Sequence, residues 1–443
     1  MRAGDGDVVG VFVIESPLVR AAGPTRRAYL KESVMALDQS LGGRLVVREG
    51  DPARVLVDLA RAVGSYDVFV TGDATPWSRA RDRRVDTALT DAGRRLHVVD
   101  SPYVVAPGTL TTAAASRYRV FGAYERAWRP WAEVVSPGPT SIPDWRRVVS
   151  DEPVWPTGAY AGRPWYFGDL PDDPPPARAP AGEAHALARL TSFGALVDEY
   201  ATRRDQVGVD ATSRLSAALH FGELHPRQVL AVTQGVSLGR AALWRQLAWR
   251  DFYADVLWHE PASRWHALQP AMESLRVDRD DRAAERFAIW ARGRTGYPLV
   301  DAAMRQLLTE GWMHNRARMV AASFLVKHLH LDWRWGARWF LWRLVDADVA
   351  SNQHGWQWCA GVGTDAAPFF RIFNPVRQSQ RVDPDGVYAR RYVRELRDAS
   401  VADCAQPEGG TVHYARAMVD LARERVEALA RYDEVRRGSA GRS

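Results

Sequence analysis

The chain has 443 residues, 46% of them hydrophobic and 25% charged, which is globular usage with enough length for two or three packed units. Its two cysteines, Cys359 and Cys404, exclude a disulfide framework, and no Cys/His spacing offers a zinc site. The net charge of +6 suits a nucleic-acid partner, although an arginine-rich composition gives the same charge with no partner. Residues 1–7 carry no apolar signal region and no run of about 18 apolar residues follows, so a cytoplasmic protein without a membrane span is expected.

Residues 8–14 form a continuous apolar run and read as a strand. A helix over 24–41 follows, then a strand over 45–48, a helix over 52–63, a strand over 68–71, a helix over 76–92 and a strand over 96–99. This alternation predicts a parallel, doubly wound sheet. No glycine-rich phosphate fingerprint follows any of these strands, so a nucleotide site in this half lacks a motif. From about 130 to 185 the chain is rich in Pro, Gly and Asp and reads as a surface linker. Helical periodicity dominates from 181 to 349, with a break at Gly311 and an apolar stripe of Trp335, Trp339 and Trp342. An amphipathic helix over 414–437 closes the chain before a Gly/Ser end.

Twelve of the 18 tryptophans fall between Trp244 and Trp358. Indole rings fill cores by default, but they also stack on bases and relay electrons. Four segments carry candidate chemistry. Thr212, Ser213, Arg214, Leu215 and Ser216 open a helix, where hydroxyls and free N–H groups either cap the helix or bind a phosphate. Gln246, Trp249, Arg250 and Tyr253 interleave aromatic and basic groups on one helix, a pattern for nucleic acid or for an amphipathic helix with snorkelling arginines. His314, Asn315 and Arg318 cluster at another helix start. The last segment holds Asp346, Ala347, Asp348, Asn352, Trp356 and Trp358 and ends in Gly363, Thr364, Asp365, Ala366, Ala367 and Pro368. Residues 361–366 also fit a dinucleotide fingerprint, but no strand precedes them.

These segments, with Gly296, Tyr297 and Pro298, resemble in order and spacing the flavin-binding domain of the photolyase/cryptochrome family over residues 185–397. The N-terminal half is similar to that family's antenna domain. The resemblance implies an α/β domain over 1–125, a linker over 126–184, and an all-α domain over 185–443 that binds FAD and offers a face to damaged DNA. It implies that Tyr200 and Thr212 through Ser216 hold the phosphates and ribose. Arg318 and Asp346 would pair over the isoalloxazine ring, with Ala347 and Asp348 adjoining, and Asn352 would face flavin N5. Trp249 and Trp358 match the aromatics of the lesion pocket, and Asn315 and Met319 match groups touching lesion and flavin. Arg204, Gln246, Arg250 and Tyr253 match DNA-contacting positions. Trp356 and Trp333 match the proximal and middle members of a three-tryptophan electron relay.

The chain departs from the family pattern in three places. No tryptophan stands at the surface end of the relay, where the chain reads Val277, Asp278, Arg279, Asp280 and Asp281; Trp290 is the candidate substitute. Gln246 stands where bacterial dimer-repairing members often carry Glu. The first strand of the family's sheet has no counterpart, which leaves an antenna chromophore, of deazaflavin type by resemblance, with an incomplete domain. The implied activity is blue-light repair of cyclobutane pyrimidine dimers by a monomer. The rival readings are a six-four photoproduct enzyme, for which Asn315 is the wrong residue, and a signalling cryptochrome, against which the short C-terminal tail and Asn352 weigh.

Overall fold

The computed structural model describes residues 8–134, 145, 146, 148, 155, 164–167, 169–364, 371–407 and 414–440. Residues 1–7, most of the proline-rich stretch, and Asp365 through Pro368 of the last motif lie outside the described residues. The chain divides into two compact units, one of residues 1–162, 180–198 and 213–261, the other of 163–179, 199–212 and 262–443.

The first unit opens with strand β1 (Val11–Ile14), helix α1 (Pro24–Ser40), β2 (Val46–Glu49), α2 (Pro52–Val63), β3 (Asp67–Val70), α3 (Pro76–Asp91) and β4 (Arg95–Val98). Each of these helices begins with a proline, whose missing N–H is one that the first turn leaves unbonded anyway. The strands form two parallel pairs. Val11 lies opposite Val46, and Asp67 lies opposite Arg95. Parallel pairing follows from the helical crossovers, since a tight hairpin joins only antiparallel strands. Among the described residues the pairs are not hydrogen-bonded to each other. Val57 packs on Val85 and Leu89 beneath one pair, and Ile14, Val34 and Val47 cluster beneath the other.

Helix α4 (Phe121–Glu133) runs past the expected linker boundary at 125/126. Its buried Phe121, Tyr124, Trp128 and Ala132 recur at three and four residues, the spacing that keeps one helix face inward. After α5 (Glu183–Gly194) comes the 22-residue α6 (Leu238–His259), capped by Ser237, whose hydroxyl accepts from Arg240 N at 3.1 Å. Asp251 and Asp255, one turn apart on α6, are buried. Asp251 accepts from Trp128 Nε1 at 2.8 Å and Val105 N at 3.0 Å, and Asp255 accepts from Gly108 N at 2.8 Å. These bonds tie α6 to α4 and to the 101–110 loop, so residues 213–261 are compact with the N-terminal segment.

The second unit is helical: α7 (Asp281–Ala291), α8 (Pro298–Glu310), α9 (Asn315–Lys327), α10 (Trp333–Arg343), α11 (Val349–Ala360) and α12 (Leu421–Ala440). Gly311 ends α8 at φ 63°, a left-handed cap that suits glycine. Trp335, Trp339 and Trp342 are buried, as their spacing predicts. The last helix starts at Leu421 rather than 414. Tyr414 instead donates its hydroxyl to Asp301, which also accepts from Thr295 N at 2.7 Å and Gly296 N at 3.1 Å. Among the described residues no helix is long and apolar enough to cross a membrane.

Candidate functional site

The chemistry of the helical unit concentrates where α9, α10 and α11 pack on one another. His314 is buried and caps α9, accepting from Arg316 N at 3.1 Å through Nδ1, so this histidine is helix architecture. The cap fixes the next turn. Asn315 stands exposed at the first position of α9 and Met319 lies four residues on, on the same face, with Asn315 Nδ2 3.8 Å from its sulfur. Arg318, between them, donates through Nε to Met313 O at 2.8 Å and through Nη2 to Asp346 Oδ2 at 2.8 Å. Two bonds in different directions leave the guanidinium plane one orientation.

Asp346 ends the loop after α10. Its carboxylate is almost wholly buried, and its Oδ1 has no hydrogen-bond partner among the described residues. A buried carboxylate oxygen without a donor is costly, so the position calls for a donor from a bound molecule. Ala347 is buried, and Asp348 accepts from Ser351 N at 2.6 Å, which makes it the cap of α11. One turn along, Asn352 donates its amide nitrogen to Ala337 O at 3.1 Å and Gln353 Oε1 at 2.8 Å. Its donors are spent, and the oxygen is left as an acceptor.

Trp356 follows Asn352 by four residues and shares its helix face. Its ring is 3% exposed and lies against Phe340 at 4.9 Å and Trp290 at 6.2 Å between centroids. The indole rests on bare main chain of α10, because a Cβ on Gly336 would stand 2.1 Å from its Cη2. Trp358, two residues on and half-buried, points away from that face. Trp333 opens α10, buried, with the Arg334 guanidinium 5.0 Å above its ring. Trp290 is 0% exposed and donates to Ala321 O at 3.1 Å, so it is not the surface end of a relay. Its place in the buried series Ala283, Phe287, Trp290 and Ala291 was the sequence signal for a core residue.

Tyr200 is buried at the start of a short helix with Arg204 5.4 Å over its ring, and Thr212 is half-buried. Nearby in sequence, Asp205 takes both arms of Arg316, at 3.2 and 2.6 Å.

In the first unit, Ser213 O accepts from Arg189 Nε of α5 at 2.9 Å. Arg214 lies at φ 52°, a left-handed turn that is uncommon outside glycine. Leu215 precedes the helix Ser216–Phe221 and supplies no side-chain cap. On α6, Trp249 stacks on Phe121 at 3.6 Å and 7°, with Phe252 edge-on to it at 5.7 Å and Tyr253 leaning on it at 5.2 Å. Gln246 donates to Ala242 O at 3.2 Å. Arg250 donates to Pro102 O at 2.6 Å and Leu219 O at 3.0 Å, over the Tyr103 ring. Its guanidinium therefore braces the 101–110 loop, a duty that the alternating aromatic and basic pattern did not disclose. Asp251, beside it, was also missed; burial pushes its carboxyl up to about 6.

Residues 243–434 match the model of the FAD binding domain of DNA photolyase, and residues 2–143 match the DNA photolyase model. The chain is 40% identical over 446 residues to the deoxyribodipyrimidine photo-lyase of Streptomyces griseus, covering 97% of this chain and 93% of that one. The chain belongs to the DNA photolyase family. Two solved photolyases share its fold. A class III photolyase from Agrobacterium tumefaciens superposes with a TM-score of 0.83 at 34% identity, over 98% of this chain and 92% of that one. An archaeal photolyase from Sulfolobus tokodaii, solved with two FAD molecules, gives 0.78 at 25% identity, over 97% and 94%. The cofactor of this photolyase is FAD. The chain's own atoms fit it: Asp346 Oδ1 and the Asn352 oxygen are both acceptors, and a flavin supplies donors in its ring N–H groups and the hydroxyls of its polyol chain.

Proposed function

We propose that this photolyase repairs cyclobutane pyrimidine dimers in DNA with blue light, as a deoxyribodipyrimidine photo-lyase. The observation that carries the reading is the Arg318–Asp346 pair, its second carboxylate oxygen buried and unmatched among the described residues, in the loop that leads into the helix of Asn352 and Trp356. Bound FAD in its reduced form supplies a light-absorbing one-electron donor. Arg318 and Asp346 would hold and orient that ring, and the Asn352 oxygen would accept from one of its donors. Ala347 and Asp348 set the loop, and Tyr200 with Thr212 through Ser216 takes the ribose and phosphates.

Asn315, Met319 and Trp358 form part of the lesion pocket, and Trp249 offers a platform for a base. Extruding a damaged, poorly stacked pair costs less than extruding an intact one, which favours the lesion. Arg204, Gln246, Arg250 and Tyr253 belong to the DNA-facing set, Arg250 by bracing its loop. Trp356 would pass electrons inward to keep the cofactor reduced. The reading includes a monomer acting in the cytoplasm and a deazaflavin-type antenna in the N-terminal unit. The elution volume and the absorbance spectrum of protein purified from its host test these two points.

The central experiment mixes dithionite-reduced protein with DNA carrying defined cyclobutane thymine dimers under blue light. Light-dependent loss of dimers is expected. Loss of six-four photoproducts instead would make the protein a six-four photoproduct enzyme. Bound flavin with neither repair would leave a photoreceptor.

A further inference from the structure

Trp356 lies in ring contact with Trp290, and from there the aromatic contacts run on to the surface. Phe287 stands 5.6 Å from Trp290 and 5.8 Å from Trp335. Tyr166 stacks on Trp335 at 4.2 Å and 7°. Trp165 meets Trp335 edge-on at 5.6 Å and is 61% exposed. We propose that electrons reach Trp356 from the solvent through Trp165, Trp335 and Trp290, with Phe287 bridging the last two, and that Trp165 is the exit of the relay. This rests on the flavin site described above.

Three observations favour this route over one through Trp333. Among the described residues the rings against Trp356 are Phe340 and Trp290, and Trp333 is not one of them. The Arg334 guanidinium sits over Trp333, and Arg279, 2.7 Å from Asp332, occupies the stretch where a surface tryptophan was expected. A cation over a ring is held by the electron density of that ring and opposes removal of an electron from it. On the other branch the exposure rises in the right direction. Trp290 is sealed, with its N–H donated to Ala321 O, so a positive charge there cannot be discharged to water. Tyr166 is buried, and burial holds its phenol well above the usual range, so it adds contact area rather than a proton-releasing stop. Only Trp165, of these rings, meets water.

The electron count closes. Trp356 gives one electron to the photoexcited flavin and is refilled from Trp290, then from Trp335 across Phe287, and last from Trp165. Trp165, one electron short, releases its indole N–H proton to water and becomes a neutral radical. A thiol in solution then gives it a hydrogen atom, and two thiyl radicals join as a disulfide. Each turn moves one electron inward and one proton out to solvent.

The test uses the FAD-loaded protein in its oxidised form, under blue light, with a nitroso radical trap. Peptide mass spectrometry locates the trap adduct, and absorbance with thiol present follows photoreduction. The adduct is expected on Trp165. It should vanish in Trp335→Phe and persist in Trp333→Phe. Trp165→Phe, a surface change that keeps an aromatic ring, should slow photoreduction while leaving repair by dithionite-reduced protein unchanged. An adduct elsewhere, or photoreduction indifferent to Trp165→Phe and abolished by Trp333→Phe, would overturn the route. Failure of repair by the dithionite-reduced wild type would fault the proposed function instead, and failure to bind flavin would fault both.

Discussion

At the scale of single residues, two atoms govern the flavin side of the helical unit. The first is the buried, unmatched Oδ1 of Asp346. Its partner oxygen fixes Arg318, so Asp346→Ala removes both the ligand group and the counter-charge. A charged hydrogen bond lost in a partly buried place costs about 2 kcal/mol. The variant should purify with little flavin and unfold at lower urea, as read from the flavin-to-protein absorbance ratio and a urea titration. Full flavin content in that variant would separate the pair from the cofactor. The second is the absent Cβ of Gly336. Gly336→Ala drives a methyl into the Trp356 ring, and overpacking of this kind costs about 3 kcal/mol. A lower melting temperature and slowed photoreduction are expected together. A drop in stability alone would mean that α10 shifts and the ring keeps its place.

At the scale of elements, α6 holds the first unit through two buried carboxylates. Burial raises Asp251 to about 6, above its value in the unfolded chain, so the folded state binds its proton more tightly. The stabilisation from that proton is complete below about pH 4 and is lost as pH rises through about 6. Asp251→Asn cannot titrate. The stability difference between wild type and variant should therefore change between pH 4 and 6 and be flat from 7 to 8, by urea unfolding at each pH. A difference that is constant across the whole range would remove Asp251 from the titration. This element also marks how far the sequence could be read. Local signals placed α1, α2 and α3 to within a residue or so, because prolines, periodicity and caps act over one turn. The Arg318–Asp346 pair spans 28 residues and was legible only through resemblance. The bracing by Arg250, the loop-holding by Asp251 and Asp255, and the Trp165–Trp335 contact leave no periodic trace, since each partner lies far along the chain. Trp290 was misjudged as a surface group although its helical spacing with Phe287 marked it as core.

At the scale of the whole molecule, the two units differ in how their backbones are secured. In the first, each strand is hydrogen-bonded on one side only among the described residues; in the second, α10 and α11 are buried along most of their length. Local opening follows such differences. Amides of β1 to β4 should exchange with deuterium well before those of α10 and α11, by native-state exchange with peptide mass spectrometry. Equal protection would show that the strand ladders are covered in solution.

Strand pairs that stay unjoined among the described residues are also a colloidal matter. An exposed row of backbone donors and acceptors is a template for another chain. Tyr66, Phe69 and Val98 add exposed apolar surface in and beside the second pair. Concentrated stocks of this protein should therefore cloud slowly from the N-terminal unit outward, while the helical unit keeps its yellow colour.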